Sequence, residues 1–120
     1  MEGEKMEGGA ERLLDLAYGN HPKSASLKPE GRRVLRSLRE GPKGMEELMK
    51  ELSLDPLSGA HRKHFYILLK PLREKGMIST RRMGGKTFYH LSYDGFSQYL
   101  KELRKEAEFW LKEEEKEKTS

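Results

Sequence analysis

Three cationic side chains surround the tip of one short segment, which reads RRMGGK. Arg81 and Arg82 precede the glycine pair Gly84-Gly85, and Lys86 follows it. The two glycines suffice for a tight chain reversal, since they accept left-handed backbone angles without a side-chain clash. Guanidinium and ammonium groups beside such an accessible backbone suit phosphate oxygens, so the segment is a candidate polyanion contact. The alternative is a charged sheet edge that prevents strand-to-strand aggregation.

The residues before this segment add further cations at helical spacing. The stretch 61–76 reads HRKHFYILLKPLREKG, and apolar residues repeat along one face of a helix there at Phe65, Leu68, Leu69 and Leu72. If that face packs on the core, the remaining residues point to solvent. These exposed residues are His61, Arg62, Lys63, Tyr66 and Lys70.

Positive charge is concentrated in the part of the chain that holds both groups. The 120 residues carry 24 Lys and Arg against 20 Asp and Glu, a net charge of +4. Residues 58–90 alone carry 8 positive and 1 negative side chains, whereas residues 91–120 carry 6 and 8. A localised basic stretch is a candidate surface for nucleic acid, and the alternative is a solvated face without a partner.

The composition excludes several classes of function. The chain has no cysteine, which excludes disulfides, thiol catalysis and zinc ribbons. No apolar run approaches the ~20 residues that a membrane span needs, and the acidic, glycine-rich start does not resemble a signal peptide. We therefore expect a cytoplasmic protein with one compact domain. Few amides and many Lys and Glu are typical of thermophilic proteins.

The elements that must position the cations are predicted from apolar periodicity and helix-ending residues. Helices are predicted before the glycine pair at 11–19, 29–42, 43–56 and 61–76. Residues 1–10 are expected to be disordered, and residues 20–29 to form a polar loop. Pro71 interrupts the last of these helices, and it either bends the helix or ends it near Lys70.

A β-hairpin and a long helix complete the predicted order. The segments 77–83 and 86–92 are rich in β-branched and aromatic residues and flank the glycine pair, as hairpin strands do. Residues 93–118 are predicted to form an amphipathic helix. The fold class is therefore mainly α with a small β-hairpin, with one domain over 11–92 followed by the long helix.

The long helix carries an apolar stripe with alternating spacings of three and four residues, made by Leu100, Leu103, Ala107 and Trp110. Such a heptad-like stripe is typical of helices that pair, so it predicts a homodimer interface, with help from residues 11–18. The alternative is that the helix packs back on its own domain.

Two quoted segments resemble a known family. LLKPLREKGMISTRRMGGKTFYHLS (68–92) is similar to the end of the recognition helix and the wing in ArsR-type and related archaeal transcriptional regulators. There, a Leu-x-x-Leu helix end, a glycine, an apolar strand, a basic turn and an aromatic strand follow in this order. VLRSLREGPKGMEELMKELSL (34–54) resembles the two preceding helices. The resemblance, which covers residues 29–112, implies a winged helix-turn-helix domain that binds double-stranded DNA and regulates transcription.

The resemblance also implies how DNA is contacted. The helix at 61–76 would enter the major groove, and the hairpin would reach the flanking minor groove or backbone. Arg62 can bind guanine through two hydrogen bonds, whereas Lys63 and Lys70 suit phosphates. Alternation along the strand predicts that only one of Arg81 and Arg82 points towards DNA.

The chain departs from the family pattern in two ways. The turn at 55–64 is several residues longer than is usual before a recognition helix. Metal-sensing members use cysteines or a His and Asp set on the last helix, whereas this chain has no cysteine and no histidine after His90. His61 and His64 are three residues apart without a third ligand. We therefore expect no metal and no cofactor.

Two further residues and a second function stay open. Lys43, at the start of the helix predicted at 43–56, either meets phosphate or is an ordinary surface lysine. Tyr66 either touches a thymine methyl group or a phosphate, or is an ordinary half-buried helix tyrosine. No nucleophile–base pair or phosphate loop is visible, so we do not expect an enzyme. The alternative to a regulator is a winged-helix protein–protein interaction module of a transcription or replication assembly.

Overall fold

The computed structural model describes residues 2–113, with side chains from residue 10 onward. Its elements are α1 (Glu2–Tyr18), α2 (Ser24–Leu38), β1 (Lys43–Gly44), α3 (Met45–Glu51), α4 (Gly59–Glu74), β2 (Ile78–Met83), β3 (Lys86–Leu91) and α5 (Tyr93–Leu111). The strands form one antiparallel sheet in the order β1-β3-β2. The predicted class, mainly α with a small hairpin, is confirmed.

The hydrophobic core lies where α1, α2 and α4 meet the sheet. The apolar face predicted for 61–76 is buried, and Phe65 packs its ring edge-on against Tyr89 of β3, with 5.7 Å between centroids. Tyr18 on α1 is fully buried, and its hydroxyl donates a hydrogen bond to the backbone carbonyl of Leu68. Since α3 also buries Leu48 in this cluster, four helices share one core with the central strand.

Helical backbone covers more of the N-terminal part than the sequence predicts. The sequence predicts disorder at 1–10, whereas α1 begins at Glu2; Met1 lies outside the described residues. The predicted polar loop at 20–29 is wrong over its second half, because α2 begins at Ser24. This region has a low apolar content, so periodicity carries little signal there.

The early start of α2 is explained by one buried side chain. Leu27 is only 1% exposed, so the first turn of α2 contributes to the core. Pro29 lies inside the helix, but the hydrogen bond that it removes is the one to the carbonyl of Ala25, in the first turn. The burial of Leu27 outweighs this single loss.

The helix predicted at 43–56 is shorter and is preceded by a strand. Lys43 and Gly44 pair with Tyr89 and Phe88 of β3, which makes them the third strand of the sheet. The helix α3 starts at Met45 and ends at Glu51. The chain leaves it through Ser53, whose positive φ of 62° stops further helical turns.

Pro71 does not divide α4. The helix is continuous from Gly59 to Glu74, and Pro71 is buried near its C-terminal end. The alternative that the helix ends near Lys70 is therefore wrong. Gly76 follows with a positive φ of 73° and packs so closely on Gly95 that a side chain would clash with the Gly95 carbonyl. The chain changes direction at this contact and enters the hairpin.

The hairpin and the last helix follow the prediction closely. β2 and β3 pair from Ile78–Leu91 to Met83–Lys86, and both glycines of the turn have positive φ. We call the hairpin β2–β3 the wing. α5 ends at Leu111, short of the predicted 93–118, and residues 114–118 lie outside the described range. The helices α2, α3 and α4 with the wing form a winged helix-turn-helix domain.

Candidate nucleic-acid interface

The outward face of α4 presents the residues that the helical pattern leaves exposed. His61, Arg62, Lys63, Tyr66 and Lys70 are all exposed, while the opposite face is buried. Ser58 caps the helix, since its hydroxyl accepts a hydrogen bond of 3.2 Å from the amide of His61. The last residues of the turn predicted at 55–64 therefore form the first turns of α4, and the connection from α3 spans residues 52–58.

His61 holds the connection to the start of α4. Its Nδ1 accepts a hydrogen bond of 2.8 Å from the backbone amide of Asp55. The carboxylate of Asp55 in turn accepts a hydrogen bond from the amide of Leu57. This ring orientation leaves the Nε2 edge of His61 available for an outside partner.

His64 fastens the same helix to α2. Its Nε2 lies 2.9 and 3.0 Å from the two carboxylate oxygens of Glu30. His64 and His61 thus have separate partners, and residues 2–113 contain no group of three or more metal-ligating side chains.

The side chain of Tyr66 extends from α4 to the beginning of α3. Half of its surface is exposed, and its hydroxyl donates a hydrogen bond of 3.3 Å to the sulfur of Met45. Its ring also packs edge-on against Phe65. One edge of the tyrosine is thus in contact with protein and the other is open to solvent.

The two wing arginines lie on opposite faces of the hairpin. Arg82 pairs with Thr87 across the strands, and its guanidinium donates hydrogen bonds to the Thr87 hydroxyl (3.1 Å) and to the Gly85 carbonyl (2.8 Å). Arg81 pairs with Phe88, is exposed and makes no hydrogen bond or ion pair with residues of the described range. The strand register thus places the two side chains on opposite faces, as the alternation along a strand predicts.

Lys43 differs from the exposed lysine of the sequence prediction. It lies in β1 rather than at a helix start, and its side chain is only 8% exposed. Its ammonium donates hydrogen bonds of 2.9, 2.8 and 2.7 Å to Ser37, Glu40 and Glu51. The ammonium has no free N–H group for a phosphate, so the predicted phosphate contact of Lys43 does not fit this environment. The burial of the side chain does not fit the alternative of an ordinary surface lysine either.

The pKa values around Lys43 follow from these hydrogen bonds. Bonds to the carboxylates of Glu40 and Glu51 raise the pKa of Lys43. Hydrogen bonds from Lys43 and Ser37 lower the pKa of Glu51. The cluster therefore stays charged over a wide pH range and joins α2, β1 and α3.

An open groove of about 640 Å³ separates the start of α3 from the wing. Its lining holds two acidic and two basic residues beside Tyr66, namely Glu46, Glu47, Lys50 and Lys86. The sequence does not predict this groove, because periodicity gives no contact between α3 and a strand 40 residues later. The four charges balance, so the groove has no net positive charge to attract a phosphate, unlike the exposed faces of α4 and the wing tip.

The apolar stripe of α5 is largely uncovered. No residue of α5 is buried; Leu100 and Leu103 are 43% and 42% exposed, and Trp110 is 74% exposed. Only the start of the helix meets the core, through Phe96. The alternative that the whole helix packs back on its own domain is therefore not observed.

The same apolar surface continues onto α1 and α2. A shallow groove of about 350 Å³ lies between the start of α5 and these helices, with Leu13, Leu35 and Phe96 in its lining. Phe109 and Trp110 contact each other edge-on at the far end of α5, with 5.1 Å between centroids. Apolar surface is therefore open both beside α1 and at the C-terminal end of α5.

Several solved structures are similar to this chain in their overall arrangement. No protein-family model matches the chain, and neither does a curated protein. The transcriptional regulator HlyU from Vibrio vulnificus CMCP6 is 21% identical, with a TM-score of 0.49 over 88% of this chain and 97% of that chain. The transcriptional repressor BigR from Xylella fastidiosa is 23% identical, with a TM-score of 0.48 over 92% and 98%.

A third similar structure is that of a possible transcriptional regulator for arsenical resistance. It is 24% identical, with a TM-score of 0.45 over 66% of this chain and 76% of that chain. No helix in the described range is long and apolar enough to cross a membrane.

Proposed function

We propose that the chain is a sequence-specific, double-stranded DNA-binding transcriptional regulator that acts as a homodimer. The observation that carries the proposal is a set of exposed cations on α4 and the wing for which residues 2–113 provide no hydrogen-bond or ion-pair partner: Arg62, Lys63, Lys70, Arg81 and Lys86. Exposed cations of α5, such as Lys101 and Lys105, also lack such a partner within residues 2–113, but carboxylates are interspersed among them, whereas residues 58–90 contain a single carboxylate, that of Glu74. Unpaired cations on a helix and an adjacent hairpin are suited to contacts with DNA phosphates.

The recognition helix would be α4, lying in the major groove. Arg62 is near its N-terminal end, where a recognition helix reaches base edges, and its fork of N–H groups matches the acceptors of guanine. Lys63 and Lys70 would contact phosphates. The open edge of Tyr66 would meet a thymine methyl group or a phosphate, and the Nε2 edge of His61 would face the same side.

The wing would lie on the flanking minor groove or backbone. Gly84 and Gly85 have no heavy atom within 4 Å of a Cβ position, so the tip is slim enough to approach DNA closely. The contacts of α4 and those of the wing tip would form two separate sets.

The dimer would form through α5, with α1 adding to the interface. The exposed stripe Leu100, Leu103, Ala107 and Trp110 would pair with its twofold mate. A twofold axis places two copies of α4 on one face of the DNA, about one helical turn apart. The target is then a palindrome, and an occupied promoter would block or recruit the polymerase.

Selection of bound sequences from a random double-stranded DNA pool tests this proposal. We expect an enriched palindrome whose half-sites are ~10 base pairs apart, centre to centre. A matched control is the variant Arg62→Ala with Lys63→Ala, which removes two cations from α4 and leaves the wing intact. Retention of DNA without any enriched sequence would contradict sequence-specific regulation.

The uncovered aromatic end of α5 favours a second candidate, the protein–protein interaction module. Phe109, Trp110 and Leu111 are 76%, 74% and 81% exposed, which is unusual for a soluble monomer. Heparin retention and a mobility shift on random duplex at about 150 mM salt separate the two candidates. Loss of both signals would favour the interaction module over the DNA-binding regulator.

A further inference from the structure

Arg82 is bound to the wing itself at both ends of its guanidinium. One terminal nitrogen donates to the hydroxyl of Thr87 on the opposite strand, and the other donates to the carbonyl of Gly85 in the turn. The side chain therefore joins β2, the turn and β3. In the described part of the chain, Arg81 and Lys86 have no such contacts.

The turn is flexible unless a side chain restrains it. Gly84 and Gly85 have φ of 57° and 80°, so the tip is built from the two residues with the greatest conformational freedom. A Cβ at either position would meet no heavy atom within 4 Å, so no packing holds the tip in place. Two hydrogen bonds from one planar guanidinium restrict the turn and the strand pairing at once.

The strand register separates the cations of the wing. Arg82, Thr87 and Tyr89 project from one face, which leads to the core, since Tyr89 is buried. Arg81 and Lys86 project from the other face, because they pair with Phe88 and Met83. Two of the three cations at the tip thus share a face, and the third is engaged elsewhere.

We propose that Arg82 is the positioning residue of the wing, which holds the tip in its DNA-binding shape, and that Arg81 and Lys86 make the contacts with DNA phosphates. The second half of this inference rests on the proposed DNA-binding function. The first half concerns the free protein and stands or fails without DNA.

The free protein tests the positioning role. 15N relaxation of Gly84 and Gly85 reports the order of the tip. We expect Arg82→Ala to raise their motion, Arg82→Lys to do so to a similar extent, and Arg81→Ala to leave it unchanged. Unchanged glycine signals in Arg82→Ala would overturn the positioning role, whatever the protein does with DNA.

The salt dependence of DNA binding tests the division of contacts. Each lost phosphate contact lowers the slope of log K against log salt by about 0.9 for duplex DNA. We expect this loss in Arg81→Ala and in Lys86→Ala. Arg82→Ala should weaken binding about three- to tenfold and keep the wild-type slope, since a disordered tip costs entropy on binding.

A loss of slope in Arg82→Ala equal to that in Arg81→Ala would overturn the division of contacts, since it makes Arg82 a phosphate contact. Unchanged affinity in Arg82→Ala would show that binding does not need the shape that Arg82 holds, which overturns its description as the DNA-binding shape. If the wild-type protein does not bind duplex DNA, the proposed function fails, while the glycine signals still decide whether Arg82 holds the tip.

Discussion

The hydroxyl of Tyr18 donates a hydrogen bond of 2.6 Å to the backbone carbonyl of Leu68, fifty residues away in the sequence. It fastens α1 to the middle of the helix that we propose reads DNA. Burial is the main cause that raises the pKa of the Tyr18 phenol, and the Glu30 carboxylate acts in the same direction. The phenol therefore stays protonated and remains a donor at neutral pH.

Removal of this hydroxyl should destabilise the domain without changing its fold. Tyr18→Phe keeps the buried ring and deletes one hydrogen bond, so we expect a loss of about 1 kcal/mol in the free energy of unfolding. Urea denaturation measures it, and Tyr93→Phe is the matched control, because Tyr93 is 82% exposed. Equal stabilities of Tyr18→Phe and the control would show that the bond contributes nothing.

The side chain of Tyr18 leaves room only for a glycine at position 31. A Cβ at Gly31 would lie 2.5 Å from Cε2 and 2.8 Å from the hydroxyl of Tyr18. We therefore expect Gly31→Ala to destabilise the protein by about 1–3 kcal/mol, although alanine is the better helix former. Gly59→Ala, where a Cβ meets open space, is the control and should be neutral or stabilising in the same urea titration. A stabilised Gly31→Ala would contradict the packing described for α1 and α2.

The parts of the fold that the sequence predicts are those with strong local signals. The face of α4 is predicted because Phe65, Leu68 and Leu72 repeat at helical spacing and are buried. The wing is predicted because Gly84-Gly85 stands between two β-rich runs. In both cases a few neighbouring residues determine the local structure.

The parts that the sequence misses depend on distant contacts. β1 consists of Lys43 and Gly44 alone, and it exists only because β3 offers pairing partners 46 and 44 residues further along the chain. The burial of Lys43 likewise requires Ser37 and Glu51 to converge on it. No periodicity in the sequence marks such a meeting, so a buried lysine was indistinguishable from a surface lysine.

The charged cluster around Lys43 makes stability depend on acid pH. The pKa of Glu51 is below its ordinary value of 4.5, so its contribution is present above pH 4.5 and is lost as pH falls through the lowered pKa. We expect Glu51→Gln to be less stable than the wild type at pH 7, and the difference to shrink below pH 4.5. Thermal unfolding between pH 3 and pH 7 measures it.

The control for this pH dependence is Glu106→Gln, on the exposed surface of α5. This variant changes the same chemical group outside the cluster, so it should follow the wild-type curve. If Glu51→Gln also followed the wild-type curve at every pH, the cluster would have no role in the acid dependence of stability.

The α5 stripe should determine the oligomeric state. We expect a dimer at micromolar concentration and a monomer after Leu100→Glu with Leu103→Glu, because two buried carboxylates would face their twofold mates. Sedimentation velocity measures this, with circular dichroism to confirm that the helices persist. Lys105→Glu, on the opposite side of α5, is the control and should remain dimeric. A monomeric wild-type protein at micromolar concentration would contradict the dimer.

Base recognition should depend on Arg62, and general affinity on Lys70. Arg62→Ala removes a fork of donors near the N-terminal end of α4, so we expect preference at one base position of each half-site to fall about tenfold to a hundredfold. Lys70→Ala should weaken binding to all sequences alike and reduce the salt slope by about 0.9. Competition binding with single-base variants of the selected site measures both effects.

Arg62→Lys separates charge from geometry. A lysine retains the positive charge but cannot make the paired hydrogen bonds of a guanidinium, so we expect the base preference to relax while the salt slope stays at the wild-type value. If Arg62→Lys keeps the wild-type preference, Arg62 acts as a phosphate contact and not as a base reader. In that case the remaining base contacts of α4 must come from His61 or Tyr66, whose open edges lie on the same exposed face.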